Sequence, residues 1–203
     1  MLVATDVVLN ERTQMNIAKD LTKEPPRSLC QRIGGYAVLA RMADKGRATL
    51  NGTAGEYHFN CPLDNMLFSF KGVQAEVVKN LLASGVTDEQ VAAWFDVHGI
   101  PKTVDEIKAW SDSVEAIQPY QNPEQREWFA SECARLGLDP VKSRFCDYLD
   151  TDDRVSFATK WAGFSRTTFA KTEPPLSPDS GDETIRRLLR FRRLFELRSG
   201  RTF

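Results

Sequence analysis

The chain has 203 residues, of which 41% are hydrophobic and 27% are charged, and its formal net charge is −1. This size and composition are typical of one globular domain with an appendage, and no apolar run approaches the roughly 18 residues that cross a bilayer. The near-neutral total hides an asymmetry, because residues 185–203 carry a net charge of +6 and the rest of the chain therefore carries −7.

The first 20 residues show no clear hydrophobic period, so we expect a poorly ordered N-terminal extension over residues 1–17. They also lack the basic start and the apolar core of a signal peptide, which favours a cytoplasmic location. The four cysteines are scattered and form no CxxC pair, which predicts free thiols in place of disulfides or a metal site. They are Cys30, Cys61, Cys133 and Cys146.

Between residues 25 and 50 the sequence predicts a helix with an ambiguous start. The double proline at 25–26 forbids regular helix, and Ser28 is a suitable N-cap for the apolar positions that recur at helical spacing from Leu29. The glycine pair at 34–35 interrupts that spacing. Either the helix begins after the glycines, or the pair allows another element to approach the backbone closely.

The same segment carries a run of charges at helical spacing. The four residues, which lie three and four positions apart, are Arg41, Asp44, Lys45 and Arg47. Residues at this spacing share one face of a helix, and the single acid lies within reach of both arginines. Two interpretations remain open: a solvated face that pairs with itself, and an anion-binding face close to a glycine-rich start.

Turn-forming residues follow at 51–55. They predict either a short hairpin around 47–60 or a helix end followed by a loop. Pro62 is well placed as the first residue of the next helix, and Gly72 is well placed to end it.

The middle of the chain gives the clearest signals of helix. Capping residues precede three apolar periodic segments, and a glycine follows each of three predicted helices. The starts are Thr87, Thr103 and Asn122, and the stops are Gly85, Gly99 and Gly137. The sequence therefore predicts an all-α or α-dominated fold, a single compact domain of about six helices.

An acidic segment at 147–153 is expected to form a loop after a helical turn. It lacks the central glycine and the terminal glutamate of a calcium-binding EF-hand loop. The chain has only two histidines, which excludes a multi-histidine centre. We therefore predict no metal site and no cofactor.

Composition divides the C-terminal part of the chain. We expect a helical domain over residues 18–170, a flexible linker over 171–184 that is rich in proline, serine and acids, and a basic amphipathic tail over 185–203. Three interpretations of the tail compete: docking on the acidic body, contact with an anionic membrane, and contact with nucleic acid.

Several segments resemble a family of small bacterial proteins that is catalogued only as a domain of unknown function. The segments lie at 20–28, 34–36 and 40–64, and the most specific string has the pattern DK.RA...G..GEY..NCPLD, which runs from Asp44 to Asp64. The resemblance covers about residues 18–157. It implies a single domain, and it brings no activity, cofactor or catalytic residue with it.

The chain has no nucleotide-binding, zinc-protease or serine-hydrolase motif. Its densest polar group predicts a ligand-binding site, and Cys61 is a candidate reactive thiol that could pair with His58, although a structural role fits that spacing as well. The predicted ligand-binding residues are Arg41, Lys45, Arg47, Glu56, Tyr57, Asn60 and Asp64.

Two classes of function follow from these features. The first is a soluble binding or interaction module for a protein partner or a small anionic ligand. The alternative is an enzyme that acts on a small anionic metabolite through the 41–64 cluster. Contact of the tail with nucleic acid or an anionic membrane is a weaker alternative.

Overall fold

The computed structural model describes the backbone of residues 18–164 and the side chains of residues 18–158. The expected extension at 1–17, linker at 171–184 and tail at 185–203 lie outside these residues, as does the end of the expected helical domain.

Seven α-helices and one short 3₁₀ turn make up the described part of the chain, and no strand occurs there. The all-α prediction is therefore confirmed. The helices are α1 (Leu39–Leu50), α2 (Pro62–Lys71), α3 (Ala75–Ala83), α4 (Asp88–Val97), α5 (Val104–Glu115), α6 (Arg126–Leu136) and α7 (Phe145–Phe164), with the 3₁₀ turn at Pro119–Gln121. None of the described helices is both long and apolar enough to cross a membrane.

Helix α1 lies at the centre of the domain. Every side chain from Leu39 to Ala48 is buried, because α2, α3 and α4 all pack against this helix. Helices α6 and α7 pack against each other. A central helix has no solvent-facing side, so its polar residues must find partners inside the protein.

Both alternatives for the region around the glycine pair hold: the helix begins after the glycines, and another element approaches their backbone closely. Residues 29–38 form turns, and α1 begins after them at Leu39. Gly34 also allows a close approach: it has a φ of +58°, and a Cβ placed on it would lie 2.5 Å from the Cβ of Ala92 in α4. The turn is held from α5, because the Ser111 hydroxyl accepts from Ala37 N at 3.0 Å and donates to Gly35 O at 2.9 Å.

The predicted helix signals are confirmed at most ends. Thr87 and Thr103 both form complete capping boxes, and Gly72 and Gly137 both take the left-handed conformation that ends a helix. The predicted start at Asn122 is a few residues too early. The Asn122 side chain accepts from Glu124 N at 3.0 Å, and regular helix begins only at Arg126.

The alternative of a hairpin around 47–60 is wrong. Helix α1 continues to Leu50, and the turn residues close its end: Asn51 N donates to Arg47 O at 3.0 Å, and Thr53 N donates to Ala48 O at 2.8 Å. Residues 47–50 stay helical because Arg47 and Ala48 are both buried on the continuing helix.

The expected acidic loop at 147–153 is also wrong, since α7 covers all of it. The start of the helix is fixed by Asp147, whose carboxylate accepts from the backbone N and the guanidinium of Arg144 at 2.9 Å each. Phe145, Tyr148 and Phe157 are buried along the same helix, and Asp153 is buried with them.

Candidate functional site

A cleft of about 200 Å³ lies between helix α1, the segment at 56–63, and helices α6 and α7. One wall is polar and one is apolar. The polar lining residues are Arg41, Lys45, Glu56, Tyr57, His58, Cys61, Asp152 and Asp153. The apolar ones are Pro62, Leu63, Trp128, Phe145, Tyr148 and Leu149.

At one side of the polar wall, Arg41 and Tyr57 both bind Asp153 of α7. The Arg41 guanidinium donates to one carboxylate oxygen at 2.7 Å, and the Tyr57 hydroxyl donates to the other at 2.7 Å. Burial and the adjacent Asp153 carboxylate raise the pKa of Tyr57 above its ordinary value, so its hydroxyl stays protonated and donates. Asp153 thus joins three separate parts of the chain.

At the other side, the Lys45 ammonium lies between a carboxylate and a thiol. Its Nζ is 2.7 Å from an Asp64 carboxylate oxygen and donates to Cys61 Sγ at 2.9 Å. Burial alone would lower the pKa of Lys45, but the Asp64 carboxylate and the Cys61 sulfur outweigh it and hold the pKa above its ordinary value. Lys45 is therefore an ammonium, although its side chain is only 4% exposed.

Asp64 lies behind Lys45 and outside the cleft lining. Its side chain is fully buried, and neither carboxylate oxygen accepts a well-directed hydrogen bond from the described residues. The short contact with Lys45 is therefore held by charge more than by hydrogen-bond direction. Such a carboxylate depends on one cation for its stability.

Arg47 and Asp44 face away from the cleft and belong to a second charge network. Asp44 accepts from the Arg27 backbone N at 2.8 Å and from its guanidinium at 2.7 Å. Asp88, at the start of α4, accepts from both Arg27 and Arg47. This network ties the turn at 25–28 and α4 to the central helix.

The charged run on α1 is thus neither solvated nor paired within its own face. Each of its four members is at most 5% exposed and pairs with a residue from another segment: Arg41 with Asp153, Asp44 with Arg27, Lys45 with Asp64 and Arg47 with Asp88. The structure therefore brings five of the predicted residues to the cleft, namely Arg41, Lys45, Glu56, Tyr57 and Cys61. Asn60 is exposed outside the lining and accepts through its carbonyl from Asn65.

His58 lines the cleft with Cys61, but the thiol–imidazole pair that the sequence left open does not occur among the hydrogen bonds of residues 18–158. Within residues 18–158, the hydrogen bond at the Cys61 sulfur comes from Lys45. The sequence placed both residues in one polar cluster without indicating this hydrogen bond, because Lys45 precedes Cys61 by 16 positions on another helix.

The aromatic wall was missed in the sequence analysis. Trp128 and Tyr148 pack edge to face with ring centroids 5.7 Å apart, and Phe145 stacks beside Tyr148 at 5.9 Å. Trp128 falls in the helix predicted after Asn122, whereas Phe145 and Tyr148 fall in the region where a helical turn and an acidic loop were expected, so no pattern related the three rings. The acidic run at 147–153 is the sequence feature that could have indicated this side of the cleft, because its negative charge complements the basic residues of the predicted cluster.

Two further features lie away from the cleft. A cavity of about 190 Å³ is bordered by Arg47, Leu50 and Leu82, but Arg47 is already engaged by Asp88 and by Val86 O. Lys71 is fully buried at the end of α2, and its amine makes no hydrogen bond to the described residues.

No group of three or more His, Cys, Asp or Glu side chains that could hold a metal occurs among residues with described side chains. A comparison with curated proteins gave no match. A family model described as a domain of unknown function, DUF5069, matches residues 23–155, a range that contains every residue lining the cleft. The chain therefore belongs to the DUF5069 family.

Proposed function

We propose that the chain is a binding domain for a small, mainly apolar molecule that occupies the cleft between α1 and α7. One observation carries the proposal: an aromatic wall and a polar end meet in a single cleft. Pockets for small molecules combine apolar lining with a few fixed polar groups in this way.

The size of the cleft limits the ligand. Its volume of about 200 Å³ is below the range of about 300–1,000 Å³ that is typical of pockets for drug-sized molecules. A single ring with a short substituent matches this space. The ring would lie against Trp128 and Tyr148, and the substituent would face Lys45 and Cys61.

The charges of the lining favour a neutral ligand. Arg41 and Lys45 supply two positive charges, and both already have buried carboxylate partners, Asp153 and Asp64. Glu56 and Asp152 add further negative charge to the lining. An anionic ligand, as the sequence predicts, would have to compete with these carboxylates for the same cations.

Three compounds with the same ring and different charge test the proposal: benzamide, benzoate and benzylamine. A ligand that binds only the folded protein adds to the free energy of unfolding, by about 2.7 kcal/mol at a hundredfold excess over its Kd. The midpoint temperature of thermal unfolding therefore rises. We expect the largest rise with benzamide. A larger rise with benzoate would instead support the anionic ligand.

A matched pair of variants locates the binding. Leu149→Trp places a larger side chain in the cleft and is expected to abolish the rise. Val77→Trp makes the same change at a half-exposed site on α3, outside the cleft, and should leave the rise unchanged. Equal shifts in both variants would place binding elsewhere and refute the proposal.

An enzyme that acts on a small anionic metabolite through the 41–64 cluster stays a prediction of the sequence. A protein partner, and contact of residues 185–203 with nucleic acid or an anionic membrane, stay predictions of the sequence. The tail lies outside the described residues, so its deletion and a salt-dependent binding assay are the means to test it.

A further inference from the structure

Among the four cysteines, Cys61 has distinctive surroundings. It lines the cleft and is half-buried, whereas Cys133 and Cys146 are buried and none of the other three lines it. Burial raises the pKa of Cys133, and the hydrogen bond with Cys146 together with burial raises the pKa of Cys30. Cys61 is therefore the thiol that a molecule in the cleft meets.

An ammonium group is fixed beside this sulfur. Lys45 Nζ donates to Cys61 Sγ at 2.9 Å and is held from behind by Asp64 at 2.7 Å. Cysteines that act as nucleophiles occur next to lysine, arginine or protonated histidine, and at helix N-termini. Cys61 meets both conditions, because it is the N-cap residue of α2.

The first turn of α2 adds a further element. Its first residue, Pro62, has no N–H, and no side chain caps the N–H groups of the next two residues, Leu63 and Asp64. The N-terminus of a helix favours negative charge. Negative charge that develops on a carbonyl oxygen during attack by Cys61 would lie close to this turn.

We propose that Cys61 is a nucleophile that accepts an acyl group from small esters or thioesters bound in the cleft, with the Lys45 ammonium as the proton donor to the leaving group. This inference rests on the binding function proposed above, and it names the chemical class of the ligand.

The reaction balances with groups that the structure holds and with water. The reacting form of Cys61 is the thiolate. Its sulfur forms a bond to the carbonyl carbon, and the bond from that carbon to the leaving oxygen or sulfur breaks. The leaving group takes a proton from the Lys45 ammonium. Water then attacks the new thioester carbon, the carbon–sulfur bond breaks with the sulfur leaving as the thiolate, and one proton of the water returns to Lys45. The products are an acid and an alcohol or thiol.

p-Nitrophenyl butyrate tests the proposal with the full-length protein. Release of p-nitrophenolate is followed by absorbance, and the acylated residue is identified by mass spectrometry of peptides. We expect one butyryl group per chain, on Cys61, formed at least about tenfold faster than on N-acetylcysteine at the same pH. An acyl group on another residue, or a rate on Cys61 no higher than that on N-acetylcysteine, would overturn the proposal.

Cys61→Ser and Cys30→Ser are the matched variants, since each replaces one half-buried thiol. The first should abolish the rapid release and the second should not. If both variants keep it, Cys61 is not the nucleophile.

The role of Lys45 needs a variant that folds. Lys45→Met leaves Asp64 buried without its cation, so the double variant Lys45→Met/Asp64→Leu, which removes both charges, is the better test. The substrate for this test is ethyl thiobutyrate, because its alkyl thiolate is a poorer leaving group than p-nitrophenolate and needs the proton. We expect the acylation rate of the double variant to fall at least about tenfold, and Lys45→Arg to retain more of the rate than the double variant. An unchanged rate in a folded double variant would exclude Lys45 as the proton donor.

Failure of this inference and failure of the binding function are distinguishable. If benzamide binds in the cleft but Cys61 is not acylated, the binding domain stands and the acyl chemistry is wrong. If Cys61 is acylated but benzamide neither binds nor slows the reaction, the reactive thiol stands and the proposed ligand class for binding is wrong.

Discussion

The Lys45 ammonium lies 2.7 Å from an Asp64 carboxylate oxygen, and the two side chains are 4% and 0% exposed. An ion pair this deeply buried contributes little net stability, because both charges have left water. It becomes costly when one partner is lost and the other stays buried. The pair therefore predicts a strongly non-additive response to mutation.

Lys45→Met should lower the free energy of unfolding by about 3–5 kcal/mol, and Asp64→Leu should do the same. The double variant should come within about 1–2 kcal/mol of the wild type, because it removes both charges from the interior. Urea unfolding at pH 7 of all four proteins measures the coupling. Losses that simply add would show that packing, and not charge, sets the cost.

The surroundings of Asp88 predict that the free energy of unfolding of the protein falls at acid pH. Partial burial acts to raise the pKa of Asp88, but hydrogen bonds from Arg27 and Arg47 outweigh it and lower the pKa below its ordinary value. The folded protein therefore binds fewer protons than the unfolded chain. The stabilisation is fully present above the unfolded pKa of about 3.9 and is lost as the pH falls towards the lower folded value.

Asp88→Asn tests this expectation. It should cost about 1–3 kcal/mol at pH 7, since two guanidinium groups lose their shared carboxylate, and the difference from the wild type should shrink below about pH 4. Urea unfolding across this pH range is the measurement. Asp112→Asn, at a half-exposed carboxylate, is the comparison and should cost less at pH 7. A difference that stays constant with pH would contradict the assignment.

Gly34 is expected to tolerate a side chain less well than Gly35. Both Gly34 and Gly35 have positive φ, but a Cβ on Gly34 would lie 2.5 Å from Ala92 Cβ, whereas one on Gly35 would meet Ile107 only at 3.6 Å. Gly34→Ala should therefore be more destabilising than Gly35→Ala by about 1–3 kcal/mol in thermal or urea unfolding. Similar losses at the two positions would mean that backbone conformation alone decides.

A second variant isolates the clash. Ala92→Gly removes the opposing Cβ and costs about 1 kcal/mol as a glycine within α4. In that background Gly34→Ala should cost no more than Gly35→Ala. A cost that persists would place the obstruction outside Ala92.

Replacement of the buried Lys71 by an apolar residue is expected to stabilise the protein. Burial lowers the pKa of Lys71, the nearby Asp96 opposes this change, and Lys102 adds to it. The buried amine binds fewer protons in the folded than in the unfolded state, so it destabilises the protein at neutral pH. This penalty disappears as the pH rises from the lowered pKa towards the unfolded value of about 10.4.

Lys71→Met should therefore raise the free energy of unfolding by about 1–2 kcal/mol at pH 7, because it removes a buried donor that has no acceptor in the described structure. The gain should diminish at alkaline pH. Lys108→Met, at a side chain that is 67% exposed, should change little at either pH. A loss of stability in Lys71→Met would show that the amine is satisfied.

The helices could be predicted because their signals are local. Thr87 and Gly137 act on backbone groups within one turn, so the sequence around them is sufficient. The burial of α1 is not local. Its charged residues resemble an exposed face, and only the packing of three other helices shows that the helix has no exposed side.

The candidate site was predicted in part for the same reason. Lys45 and Cys61 lie in one dense stretch of sequence, so their proximity was foreseeable. Trp128 and Asp153 come from the other end of the domain, and no local pattern relates them to that stretch. The sequence predicted a helix around Trp128 and a loop around Asp153, and the tertiary fold determines which surfaces these side chains face.

The contact between Arg41 and Asp153 joins residues that are 112 positions apart. Closing so long a segment is costly in chain entropy, so contacts of this kind tend to form late in folding. The cleft comes into existence only when α7 reaches α1. A ligand that touches both sides would therefore slow the detachment of α7, and protection of the α7 amides from hydrogen exchange would report occupancy of the cleft.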